Sequence, residues 1–187
     1  VEVYFVTGNK HKFLEVEKLF REIGVSLKQL TVKLVEPQGD LEFVAEYKLK
    51  QAYGLVKKPV VVEDAGLFIE ALNGFPGPYS RYVLETIGNE GILKLMEGVE
   101  NRSAYFKAVV GYYDGRILKL FEGRVYGRIA YEKRGESGFG FDPIFIPEGY
   151  SQTFAENYEL KKKISHRYRA FMKLIEWLKS EHAKQVK

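Results

Sequence analysis

The chain contains no cysteine among its 187 residues, which excludes a disulfide framework and any thiolate metal centre. Histidine is scarce as well: His11, His166 and His182 are the whole set, too few for a His-rich zinc site. No apolar run approaches the roughly 20 residues that a membrane-spanning helix needs, and the N-terminal stretch lacks the basic and apolar regions of a signal peptide. These absences lead us to expect a cytoplasmic protein without a membrane partner. What is present is ordinary for a globular chain, with 45% hydrophobic and 29% charged residues. The length allows one sizeable core, or two small lobes sharing a sheet. The net charge of +4 and the pI near 9.0 suit an anionic ligand, either nucleotide or nucleic acid, without choosing between them. Much of the basic excess lies around Lys161, Lys162, Lys163, Arg167, Arg169 and Lys173, where a solvated helix face accounts for most of it.

Periodicity predicts a strand over residues 2–6 and a helix over 10–23, with Phe13, Val16, Phe20 and Ile23 on one face. A second strand is expected over 27–35, a turn-rich loop over 36–40, and a second helix over 42–57 with Phe43, Tyr47 and Leu49 to Ala52 as core candidates. Val60–Val62 reads as a third strand. The order β-α-β-α-β predicts a parallel or mixed sheet covered by helices. Short helices are expected near 79–87 and 89–97. Two long β-rich runs, 102–113 and 117–131, meet at Asp114-Gly115, a hairpin signal. We expect this ribbon to project as a second lobe of a single 1–187 domain. A brief strand is expected over 143–146 and a last helix over 165–181, with Ser165 as its N-cap and Phe171, Leu174, Ile175 and Leu178 inward.

Residues 59–66, Pro-Val-Val-Val-Glu-Asp-Ala-Gly, carry the strongest chemical signal. A β-branched run fits a strand covered on both faces and ends in two adjacent carboxylates. Burying unpaired carboxylates is expensive. Glu63 and Asp64 are therefore expected where the strand leaves the sheet, as solvated loop acids, as partners of a base, or as holders of a cation. Thr7-Gly8-Asn9-Lys10-His11-Lys12 lies between a strand and a helix, where free backbone N–H groups and a positive dipole end favour phosphate. Gly8 lets the backbone approach, Asn9 donates from its amide or merely caps the helix, and Lys12 adds a cation. In Ser137-Gly138-Phe139-Gly140-Phe141-Asp142-Pro143, glycines flank aromatics. That arrangement suits a ring stacked on a nucleobase, or a bulge whose phenylalanines plug the core. Phe139 is the better stacking candidate and Phe141 the better plug. Ser165-His166-Arg167 opens the last helix with donors that can point at a carbonyl oxygen, or forms a capped terminus with surface charge.

Together, TGNxxK at 7–12, VEDAGL at 62–67 with LNGFPG at 72–77, GFGFDPIF at 138–145 and SHRYRA at 165–170 resemble the Ham1-type inosine/xanthosine triphosphate pyrophosphatases, in order and over nearly the whole length. The resemblance implies an α/β fold: a long curved mixed β-sheet flanked by helices, in two lobes with a central nucleotide-binding cleft, usually as a homodimer. It implies that the segment Thr7, Gly8, Asn9, Lys10, His11 and Lys12, together with Lys48, binds triphosphate. Glu36 and Asp64, supported by Glu63, would hold Mg²⁺, and Asp64 would be the catalytic base. The segment Phe139, Gly140, Phe141 and Asp142 would take the purine, with Phe139 stacked on it and Asp142 at the base pocket. His166 and Arg167 would read the ring edge, and Lys161 would lie near the nucleotide. Three positions depart from the family pattern. Ala65 stands where many members carry Ser or Thr, Phe141 replaces a common Trp, and Lys162 replaces an Asn, leaving the roles of Lys161 and Lys162 open.

The implied reaction is hydrolysis of ITP, dITP or XTP to the monophosphate and pyrophosphate, a cleansing of the nucleotide pool. Donors from His166 and Arg167 match the 6-keto acceptor of hypoxanthine and xanthine and clash with the 6-amino group of adenine. Two rivals stand beside it: a hydrolase of modified pyrimidine or canonical nucleotides, and a nonenzymatic RNA- or DNA-binding module. Paired acids in the proposed groove oppose the second, since they repel a phosphate backbone. No nucleic-acid partner is therefore expected.

Overall fold

The computed structural model describes residues 2–186. Among the described residues, six strands form one mixed sheet: β1 (Glu2–Val6), β2 (Ser26–Leu30), β3 (Val60–Ile69), β4 (Ser103–Tyr113), β5 (Leu118–Ile129) and β6 (Phe145–Pro147), in the order β2-β1-β3-β4-β5-β6. β1 runs parallel to both β2 and β3, while β5 and β6 pair antiparallel. The helices are α1 (Lys10–Arg21), α2 (Leu41–Val56), α3 (Ser80–Thr86), α4 (Gly88–Leu95), α5 (Tyr158–Ile164) and α6 (His166–Gln185). No helix among the described residues is long and apolar enough to cross a membrane.

The chain divides into two compact units. The first comprises 1–64, 109–122 and 170–187. Its sheet core is built on Val3, Phe5 and Val60–Val62, with Phe5 meeting Phe171 of α6 edge-to-face at 5.5 Å. The second comprises 65–108 and 123–169. Its core joins Leu67 and Ile69 of β3, Phe106 of β4, Val125 and Ile129 of β5, Ile92 and Met96 from the α4 region, and Phe141, Phe145 and Phe154. The turn end of the β4–β5 hairpin thus belongs to the first unit and its base to the second.

Several elements differ from what the sequence predicts. α1 ends at Arg21 rather than at 23, because Gly24 takes a left-handed φ of 73° and its N–H donates back to Arg21 O, a glycine C-terminus. β2 stops at Leu30; Val35 beyond it is exposed, and its backbone is paired by the Gln51 side chain instead of a strand. On α2, Phe43 and Tyr47 face outward, and the buried stripe is Leu41, Val44, Ala45, Leu49 and Ala52. The two aromatics fit a helical face equally well by spacing, but only the smaller side chains are taken into the core. α5, carrying Lys161–Lys163, was not anticipated; Asn157 Oδ1 caps it by accepting from the Leu160 N–H at 3.1 Å. The predicted cap on α6 is present, with Ser165 Oγ accepting from the Tyr168 N–H at 3.1 Å.

β3 departs most. The acids do not end it: it continues through Glu63, Asp64, Ala65 and Gly66 to Ile69. Gly66 makes that continuation possible, since a Cβ there would lie 2.3 Å from Gly77 O. The Leu67 N–H donates to Ser80 Oγ at 2.8 Å, which stitches the extension to the start of α3.

Candidate active site

In the first unit, β1 delivers the segment Thr7–Lys12 to the start of α1. Asn9 caps the helix, its Oδ1 accepting from the Lys12 N–H at 3.0 Å. The capping alternative is therefore realised, and it uses only the carbonyl end of the amide. A Cβ at Gly8 would meet nothing within 4 Å, so the fold's own packing does not require glycine there and the backbone is open to approach. Thr7 is fixed from behind, its carbonyl accepting from Gln29 Nε2 at 2.9 Å. Lys10 and His11 are exposed on the first turn of α1.

The carboxylates of β3 face lysines. Lys12 Nζ lies 3.4 Å from Glu63, whose side chain is only 3% exposed. Lys48, on the buried side of α2, bridges two acids, at 3.0 Å from Asp64 Oδ1 and 3.3 Å from Glu36 Oε1. Glu36 is exposed, in the loop after β2. Gln51 fixes that loop with two hydrogen bonds to Val35, accepting its N–H at 2.9 Å and donating to its carbonyl at 2.7 Å. Sequence reasoning missed Gln51 because a partner 16 residues away leaves no local signal.

Asp64 is strongly perturbed. Burial raises its pKa from 3.8 to about 6, with Glu36 and Glu63 adding to the rise and the charge and hydrogen bond of Lys48 opposing it. Its Oδ2 is buried without a hydrogen-bond partner among the described residues. Such an oxygen costs free energy unless something binds it. Among the described residues, no group of three or more His, Asp or Glu side chains is gathered closely enough to hold a metal ion. The expected trio Glu36, Glu63 and Asp64 therefore does not form a ready-made cage; each acid faces a lysine. The donor set nevertheless fits a hard cation. It is all oxygen, it includes one unmet buried oxygen, and Mg²⁺ is commonly held by one or two carboxylates plus water and substrate phosphates.

In the second unit, Phe139 and Phe141 separate as expected. Phe141 is 4% exposed in the core and Phe139 is 46% exposed. Gly138 and Gly140, at φ 73° and 64°, make the turn, and a Cβ on Gly138 would strike Asp142 Oδ2 at 2.4 Å. That oxygen accepts from the Phe139 N–H at 3.0 Å and from Lys161 Nζ at 2.5 Å. Both members of the Asp142–Lys161 pair are buried. Lys161 also stands 4.1 Å from the centre of the Phe139 ring, and the Arg167 guanidinium 5.2 Å from it. Lys162 is exposed and pairs with Glu159 at 2.8 Å. Of the two lysines left open by the sequence, Lys161 is the one built into this turn. His166 is buried and stacks on Phe106 at 4.7 Å, so its ring is held by the core. Ala65, the first residue of the second unit, brings no hydroxyl to the strand.

A model of the Ham1 family matches residues 3–177. The dITP/XTP pyrophosphatase of Thermococcus kodakarensis is 54% identical over 177 residues, covering 94% of this chain and 96% of that protein. The dITP/XTP pyrophosphatase of Methanopyrus kandleri is 52% identical over 187 residues, covering 98% and 99%. Among solved structures, the Staphylococcus aureus Ham1 protein superposes with a TM-score of 0.88 at 30% identity, covering 97% of this chain and all of that one.

Proposed function

The chain belongs to the Ham1 family, and from that premise we propose that it hydrolyses non-canonical purine nucleoside triphosphates, dITP, ITP and XTP, to the monophosphate and pyrophosphate. The curated relatives support the substrate class, since they carry the name dITP/XTP pyrophosphatase at about half identity over nearly the full chain. The observation in this molecule that best supports the chemistry is Asp64: a buried carboxyl of pKa about 6 with one unmet oxygen, beside Lys48 and Glu36.

In this reading each set of residues has its own task. Asn9, Lys12 and Lys48 take the triphosphate, whose approach draws the lysines from carboxylate to phosphate oxygens. Glu36 and Asp64, with Glu63 behind them, would hold Mg²⁺, which when bound would offset phosphate charge and acidify water. Asp64 is ionised at neutral pH yet basic enough to orient a water at the α-phosphorus and accept its proton, and pyrophosphate departs. Positioning and charge neutralisation supply most of the rate.

Phe139 stacks on the purine and Asp142, locked by Lys161, sets the pocket floor. Arg167 and His166 at the head of α6 face the 6-oxo edge with donors, which disfavours ATP because a donor would meet the adenine amino group. A site built for such pairing rejects a mismatched partner by about 10⁴-fold or more. The homodimer and the cytoplasmic setting implied by the resemblance belong to the same proposal.

The test is pyrophosphate release from ITP, dITP, XTP, GTP, ATP and the pyrimidine triphosphates, each with Mg²⁺ and with chelator. Turnover confined to the deaminated purines and lost with chelator supports the proposal. Equal turnover of ATP rejects the specificity, and none with any nucleotide rejects the activity.

A further inference from the structure

The exposed ring of Phe139 is not held by burial, so the orientation of its plane depends on how the 138–142 turn is tied down. Two ties are internal to the turn, the Phe139 N–H to Asp142 Oδ2 and the Asp142 N–H to Phe139 O at 3.3 Å. A third comes from far along the chain: Asn89, in the first turn of α4, donates from Nδ2 to Gly140 O at 3.0 Å. α4 is a firm base for this tie, since Ile92 and the following Met96 are wholly buried. The neighbouring Glu90 pairs at 2.5 Å with Lys133, on the chain leading into the same turn.

Asn89 Oδ1 is buried without a hydrogen-bond partner among the described residues. A buried acceptor left unmet opposes folding, so stability alone does not account for an amide at this position; an apolar side chain would avoid the penalty. What the amide supplies is its donor to Gly140. We propose that Asn89 is a positioning residue for base recognition, its carboxamide fixing Gly140 and through it the plane on which the purine stacks. This inference rests on the function proposed above and names a residue that no motif in the sequence singled out.

Asn89→Asp keeps the shape and replaces the donor by an acceptor facing a carbonyl oxygen; Asn89→Ala removes the tie without that repulsion. KM and kcat for ITP, inhibition by inorganic tripolyphosphate and the thermal midpoint are measured for both variants and the unsubstituted protein. The expected result is a KM for ITP raised about threefold, equivalent to losing roughly half of a base-stacking contribution that is itself worth about tenfold. The expected kcat stays within about twofold, tripolyphosphate inhibition is unchanged because that probe has no base, and Asn89→Ala melts no lower than the unsubstituted protein. An unchanged KM in both variants overturns the inference, as does equal weakening of ITP and tripolyphosphate with a lowered midpoint, which marks a general structural role. If the unsubstituted protein does not turn over ITP, the proposed function falls and this inference with it. If it does and the variants match it, only the inference falls.

Discussion

Replacing Asp64 with Asn preserves the side chain's shape while removing its charge, and the structure gives the size of the consequence. Burial lifts the Asp64 pKa from 3.8 to about 6 even with Lys48 opposing. A carboxyl whose pKa rises on folding binds its proton more tightly in the folded chain. Its stabilising contribution is complete below pH 3.8 and is lost as the pH climbs through about 6. Above that window the folded protein carries the cost of an ionised buried group, about 3 kcal/mol at 1.36 kcal/mol per pKa unit. Asp64→Asn mimics the protonated acid and avoids this cost. In chelator at pH 8 the variant is expected to melt roughly 6–12 °C above the unsubstituted protein, since each kcal/mol moves a chain of this size by about 2–4 °C. The gap should close below pH 3.8, where Asp64 is protonated in both the folded and the unfolded chain, and the same variant should have lost ITP turnover. Thermal unfolding across pH, with matched assays of pyrophosphate release, reads both halves. Equal or lower stability at pH 8 refutes the claim that burial dominates at Asp64, and near-normal kcat refutes its role as base.

Breaking the Asp142–Lys161 pair with Lys161→Met strands a carboxylate that is almost wholly buried and should cost about 3–5 kcal/mol; an unshifted denaturant midpoint would show that the acid finds solvent instead. Gly66→Ala forces a Cβ against Gly77 O and should destabilise by about 1–3 kcal/mol, checked by the same unfolding measurement, with no change contradicting the close approach. Phe139→Ala should raise KM for ITP by roughly tenfold, on the scale of base–aromatic stacking, without altering inhibition by tripolyphosphate; an unmoved KM assigns the ring a purely structural place.

Features carried by short-range chemistry were readable before the fold was known. The β-branched run Val60–Val62, the Ser165 cap and the contrast between an exposed Phe139 and a buried Phe141 follow from side-chain type and immediate neighbours, and the structure contains all three. The features that escaped depend on distant partners. Two acids, an alanine and a glycine interrupt the apolar pattern at 63–66, so nothing local says that β3 persists through them to Ile69. The outward turn of Phe43 and Tyr47 reflects which of two apolar stripes the core accepts. Gln51 and Asn89 hydrogen-bond across 16 and 51 residues, and nothing local separates Lys161 from Lys162 until Asp142 is brought against Lys161.

The break between units falls at Asp64 and Ala65. Every side chain assigned to triphosphate and cation precedes that break, and every one assigned to the purine follows it. In the proposed mechanism, cleaving the anhydride and choosing the nucleobase fall to stretches of sequence that do not overlap. On that proposal, drift along residues 137–167 would alter the menu of nucleotides accepted while the proposed hydrolytic apparatus is inherited intact.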